Sequence, residues 1–180
     1  GTNQQNVTNL PFDDGRFAMY SSFHPDGQTL AYGELWNLTS NWYGDIFTIN
    51  QDGSNKQQLT ASDPDYCNVY PVFSPDGSKI AFYRGDRNAD TGGIWVMNAD
   101  GSNQQEVIQV PTIDGCWFNS IPVGSIGDAG LVSNFDWSPD GTRLAYIRTI
   151  IGGDPQEVTS SLRTVDLQGN EDIIYEVSSI

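Results

Sequence analysis

The chain is poor in the residues on which most active sites are built. It has one histidine and two cysteines among 180 residues. A zinc centre takes three or four Cys, His or carboxylate ligands, so none is expected here. A histidine-activated nucleophile would have to use His24, which lies inside a tight turn and is expected to face solvent. Cys67 and Cys116 are too few for a disulfide framework. Both fall in connections between strands, so a disulfide between them and two thiols both stay open. Positive charge is scarce as well: 8 Lys and Arg stand against 23 Asp and Glu, a net charge of −15. That excludes nucleic acid as a partner, which needs a basic patch, and disfavours an anionic membrane surface. No apolar run approaches the ~20 residues that span a bilayer. No segment sustains a 3.6-residue hydrophobic period, so essentially no helix is expected.

What the chain does have is a repeat. Phe73-Ser74-Pro75-Asp76-Gly77 followed by Ile80-Ala81-Phe82 matches Phe23-His24-Pro25-Asp26-Gly27 with Leu30-Ala31-Tyr32, and Trp137-Ser138-Pro139-Asp140-Gly141 with Leu144-Ala145-Tyr146. Repeats have to be found first, because missing them misreads the fold. Pro presets φ for the first central turn position, Asp suits the second and Gly takes the left-handed position after it. The motif is therefore a three-residue hairpin loop. The aromatic residue ends one strand, and the aliphatic-Ala-aromatic run begins the next, with small Ala between large buried neighbours.

Further along each unit come an alternating segment (45–50, 93–98, 161–166), a second turn (51–55, 99–103, 167–170) and a closing strand. Each unit reads as a four-stranded antiparallel meander, over roughly 17–60, 69–110 and 131–177. Residues 1–16 read as a linker with one extra short strand at 7–10. Four-stranded repeats of this size are the signature of propeller blades. The fold class is therefore all-β, a β-propeller, in preference to an immunoglobulin-like sandwich, which does not explain three copies of one hairpin.

The stretch from Phe73 to Asn103, with Ile94-Trp95-Val96-Met97-Asn98-Ala99-Asp100-Gly101, resembles the repeat of the TolB-like β-propellers. The resemblance covers roughly residues 17–177. His24 stands where the repeat has serine, and Leu167-Gln168-Gly169 stands where it has Ala-Asp-Gly. The resemblance implies the fold. It implies no single function, because such repeats serve binding proteins, peptidase propeller domains and some polysaccharide lyases.

Closed propellers have about 4–8 blades, and three leave both ends apolar and open. Residues 1–180 are therefore read as one propeller half, with two chains expected to form a six-bladed homodimeric ring and a fragment of a longer propeller as the alternative. The strand at 7–10 corresponds to the fourth strand of a preceding blade and could meet the partner's edge. The tight turns fall on one face of such a ring, and the second-to-third loops and blade connections on the other. Scaffolded loops are where binding concentrates, so Trp36, Trp42, Tyr43, Asp65, Asp114 and Trp117 are the candidate ligand-binding residues. No catalytic residue is identified and no cofactor is expected, although loop carboxylates leave calcium open.

Two functions fit. The first is a non-enzymatic binding module that presents its long-loop face to a protein or peptide, as the TolB resemblance implies. The second is a carbohydrate-binding or carbohydrate-active propeller, with loop aromatics stacking sugars and a carboxylate pair acting on them. Gly1 in place of Met suggests a trimmed chain whose export signal has been removed, and hence a periplasmic or extracellular protein.

Overall fold

Each Pro-Asp-Gly motif closes a hairpin, and three hairpin pairs build three blades. The structure is a computed structural model that describes residues 6–8, 10, 15–38, 41–61, 63–112, 129–152 and 157–179. The first blade is β1 (Arg16–Phe23), β2 (Thr29–Leu38), β3 (Asn41–Asn50) and β4 (Gln57–Gln58). The second is β5 (Tyr66–Phe73), β6 (Lys79–Asp86), β7 (Thr91–Asn98) and β8 (Gln105–Pro111). The third is β9 (Ala129–Trp137), β10 (Arg143–Gly152), β11 (Glu157–Asp166) and β12 (Glu171–Ser179). All neighbours within a blade are antiparallel. One parallel bridge, Gly44 with Cys67, ties the first blade to the second. No helix occurs among the described residues.

The long loops read from the sequence are mostly strand. Residues 34–38 pair with 41–45, so Trp36, Trp42 and Tyr43 lie at the end of an extended hairpin, not in a loop. The sequence obscures this because aromatic, Gly and Asn residues interrupt the alternation that marks a strand. Conversely, β4 has only two ladder residues. Val7 and Thr8 form a bend, with Val7 packed on Tyr32, Phe47 and Ile49.

The first strand of every blade carries the same irregularity. Tyr20, Tyr70 and Asn134 have φ of 53°, 57° and 50°, each three residues before the aromatic of its Pro-Asp-Gly motif. The ladder register breaks at each of these places. A left-handed tyrosine is rare, and its recurrence marks a built-in bulge that bends the strand. The Tyr20 and Tyr70 rings meet with centroids 3.7 Å apart.

Blades pack face to face. Ala31 and Ile46 of the first blade bury Ile80, Phe82 and Met97 of the second, and all five are essentially inaccessible. Polar links repeat along the first strands. The Phe73 amide donates to Ser22 Oγ at 3.2 Å, and the Trp137 indole donates to the Val72 carbonyl at 3.0 Å. His24 is not the solvent-facing residue expected. Its ring packs edge-on against Phe73 at 4.9 Å, and it lies so close over the next blade's turn that a Cβ on Gly77 would come within 2.2 Å of Nε2. The turn thus positions His24 as an inter-blade spacer.

The turn aspartates explain the repeat chemistry. Asp76 accepts the Ser74 and Ser78 hydroxyls and the Ser78 amide. Asp140 accepts from Ser138 and Thr142 in the same way. The Ser74 hydroxyl first, then the Ser78 amide, hold the Asp76 carboxyl at about 2, below the ordinary carboxylate range. Asp140 is held at about 2 by Ser138 and Thr142, and Asp26 at about 2 by the amides of Gln28 and Thr29. Because the folded pKa lies below the unfolded value of about 3.9, these turns contribute stability above that pH and lose it as pH falls toward about 2. The melting temperature is therefore expected to drop between about pH 4 and about pH 2. Asp76→Asn should lower the melting temperature at neutral pH and flatten that acid limb. An acid limb unchanged in Asp76→Asn would remove the turns as its cause.

Candidate functional site

The outer end of the first blade, where it meets the second, gathers aromatic rings and cations. Trp36 and Tyr43 are directly opposed across β2 and β3, and their rings stack at 6.4 Å with 23° between planes. The Arg16 guanidinium lies 5.9 Å from the Trp36 ring. The Arg87 guanidinium lies 4.9 Å from the Tyr43 ring. Four side chains thus form a run of cation, two rings and cation, a geometry in which each ring face attracts positive charge.

Both cations are anchored. Arg16 Nη1 sits 3.1 Å from Glu34 Oε1, and Glu34 is fully buried. Lys56 Nζ closes the other Glu34 oxygen at 2.6 Å and lies 4.7 Å from the Phe47 ring. Burial first, then the Glu34 charge, push the Tyr32 hydroxyl upward in pKa. Arg87 donates from Nη1 to the Pro64 carbonyl at 2.9 Å and from its amide to the Asp65 carbonyl at 3.0 Å. The connection between the blades is thereby pinned to the tip of β6.

Of the predicted site residues, Trp36, Tyr43 and Asp65 come together here. Asp65 contributes its main chain, and its side chain is exposed. Trp42 is one residue before Tyr43 on β3 and is described in its backbone alone. Asp114, Trp117 and Cys116 lie outside the described residues. Cys67 is fully buried at the bridge to Gly44.

Sequence reasoning missed the cations. It also missed a partly buried polar chain that links the first two blades. Arg84 donates from Nε to Asn68 Oδ1 and from Nη2 to Gln104 Oε1, both at 2.7 Å. Its guanidinium lies 4.5 Å from the Trp95 ring, 5.2 Å from Phe82 and 5.3 Å from Tyr66. Asn68 in turn donates to Asp45 Oδ1 at 3.2 Å, which also accepts from Thr60. Burial pulls the Arg84 pKa down. The signal was available: Glu34, Arg84 and Arg148 occupy one repeat position, two residues after the aromatic, so every blade carries a charge there. Arg84, Gly85 and Asp86 are the last three residues of β6 and pair with Gly93, Gly92 and Thr91 of β7.

Two described carboxylates near this end cap the main chain. Asp63 accepts the Asp65 amide, and Asp86 accepts the amides of Asn88 and Ala89. Among the described residues no group of three His, Cys, Asp or Glu side chains converges as a metal site would require.

Three four-stranded blades packed face to face define a β-propeller fold. No protein-family model matches the chain. It is 46% identical over 43 residues to the Tol-Pal system protein TolB of Anaeromyxobacter dehalogenans, covering 24% of this chain and 9% of that protein. It superposes on the solved structure of a putative TolB from Agrobacterium tumefaciens with a TM-score of 0.55 at 18% identity, covering 94% of this chain and 50% of that one. It superposes on an oligogalacturonate lyase in complex with manganese with a TM-score of 0.63 at 14% identity, covering 96% and 45%. At such identities the likeness to solved structures is one of fold. The chain spans half or less of the length of the relatives it matches.

Proposed function

We propose that the chain is part of a periplasmic or extracellular β-propeller that acts as a non-enzymatic binding module, presenting the hairpin ends and blade connections to a protein or peptide. The observation that carries this reading is the Arg16–Trp36–Tyr43–Arg87 run. Trp, Tyr and Arg are the residues that dominate protein contacts, because they bury large area with few frozen rotors and offer directional donors. The proposed role calls for no cofactor. A closed ring would need further blades beside these three.

The carbohydrate reading needs a pair of carboxylates beside an exposed ring. Asp63 and Asp86 are instead engaged by main-chain amides, which favours the peptide reading. The test is to pan a displayed random-peptide library on the purified chain and, in parallel, to probe a glycan array. Peptides that bind the parent are expected to bind Trp36→Ala about thirtyfold more weakly, as for a hot-spot residue. Failure to enrich any peptide, together with glycan binding that depends on Trp36, would overturn the reading in favour of carbohydrate.

A further inference from the structure

The face of the first blade that looks away from the second is exposed at its inner strand and covered at its outer edge. Phe17, Met19 and Phe23 on β1 are 51%, 39% and 59% exposed. Their repeat equivalents Cys67, Val69 and Phe73 are 0%, 0% and 7% exposed, because the first blade covers them. The Pro-Asp-Gly turns agree. A Cβ on Gly77 or Gly141 would touch His24 or Pro75 of the preceding blade, whereas one on Gly27 would meet nothing within 4 Å.

The second turn of each blade tells the opposite story. A Cβ on Gly101 would stand 2.8 Å from the carbonyl of Leu59, on the outer segment of the preceding blade. One on Gly169 would stand 3.2 Å from the carbonyl of Val107 on β8. One on Gly53 would stand 3.2 Å from the carbonyl of Val7. Val7 therefore occupies, against the first blade, the place that Leu59 and Val107 occupy against the second and third. The sequence around it matches: Asn3-Gln4-Gln5-Asn6-Val7-Thr8 parallels Asn55-Lys56-Gln57-Gln58-Leu59-Thr60 and Asn103-Gln104-Gln105-Glu106-Val107-Ile108. Between Val7 and β1 a cleft of about 220 Å³ opens, lined by Met19, Tyr20, Leu30, Tyr32 and Ile49 among others.

We propose that this face docks the inner three strands of a further blade of the same repeat, a blade whose fourth strand is the segment around Val7. In sequence, residues 1–3 (Gly-Thr-Asn) correspond to Gly53-Ser54-Asn55, where the third strand of a blade gives way to its fourth. A second copy of the chain does not fit the same place. Its third blade already carries a fourth strand, β12 (Glu171–Ser179), in which Tyr175 holds the repeat position of Leu59 and Val107. Tyr175 of a second copy and Val7 would compete for the one contact at Gly53. The apolar side chains Met19 and Phe23 and the cleft suit the aliphatic and aromatic face that such a blade presents. This rests on the propeller repeat and on no ligand of the hairpin ends.

Two measurements test it. Light scattering of the 180-residue chain is expected to give a single-chain mass near 19.8 kDa; a stable dimer would make a second copy the occupant and overturn the proposal. A fusion that places residues 66–100 of this chain directly ahead of Gly1 supplies three strands in the required register. Hydrogen exchange of the amides of Val7, Thr8 and the β1 residues is expected to slow at least about tenfold in the fusion, as for segments drawn into a cooperative unit. A folded fusion with exchange unchanged at those amides would overturn the proposal. If the fusion does not fold, the mass of the unmodified chain decides. Neither measurement reads peptide or glycan binding, so the outcome is independent of the function proposed for the hairpin ends.

Discussion

Gly93→Ala is expected to unfold the second blade. Gly93 lies in β7 with a partner on either side, Arg84 of β6 and Gln109 of β8. A Cβ there would stand 1.8 Å from the Ile108 carbonyl oxygen, 2.8 Å from its carbon and 2.9 Å from the Gln109 Cα. These are main-chain atoms in a ladder, and no rotamer change moves them aside. β7 and β8 would have to part, taking Val107, Ile108 and Val110 out of the largest apolar cluster. The loss should be about 4 kcal/mol or more, at the extreme end for a single substitution. Small domains have only about 5–15 kcal/mol to lose. Gly92→Ala is the useful comparison, because its Cβ would meet the Tyr83 hydroxyl, the far end of a side chain. Urea unfolding followed by tryptophan fluorescence should rank Gly93→Ala well below Gly92→Ala. A Gly93→Ala protein within about 1 kcal/mol of the parent would show that the strands part more easily than this geometry allows.

The hairpins could be read from sequence because their chemistry is local. Pro, Asp and Gly each meet a backbone requirement within four residues, and three copies make the reading secure. The blade-to-blade packing followed from the same copies, since Ala31 and Ala81 leave room only for a close neighbour. The bulges could not be read. Two of the three positions hold tyrosine, a residue that rarely takes the left-handed region, and only Asn134 is of a type that favours it, so the conformation comes from the course of the first strand and not from residue preference. The site was half legible. Trp36 and Tyr43 stood out as aromatics, but their pairing depends on a hairpin that runs past the visible alternation. Arg87 joins them from 44 residues beyond Tyr43 in the chain, a proximity that only the packing of the second blade against the first creates. Arg84 went unread because a part-buried cation is legible only with its partners Asn68 and Gln104, 16 and 20 residues away.

Phe73→Ala and Phe23→Ala make the same chemical change at one repeat position, and their expected effects differ by several-fold. Phe73 is 7% exposed, packs against His24, and fixes its amide on Ser22 of the neighbouring blade. Its truncation leaves a cavity between two blades that rigid strands cannot fill, at about 3–5 kcal/mol. Phe23 is 59% exposed on the open face, so its ring gives up little contact on truncation. Its loss should cost less than about 1 kcal/mol in the 180-residue chain. Paired urea titrations measure the difference directly. Equal costs for the two would mean that Phe23 is already covered in solution, and the mass of the species would then say by what. In a protein that carries further blades on this face, Phe23→Ala should move toward the cost of Phe73→Ala, because the repeat then places the same ring between the same two surfaces. The ratio of the two costs is thus a measure of how closed the ring is, taken from stability alone and without any ligand.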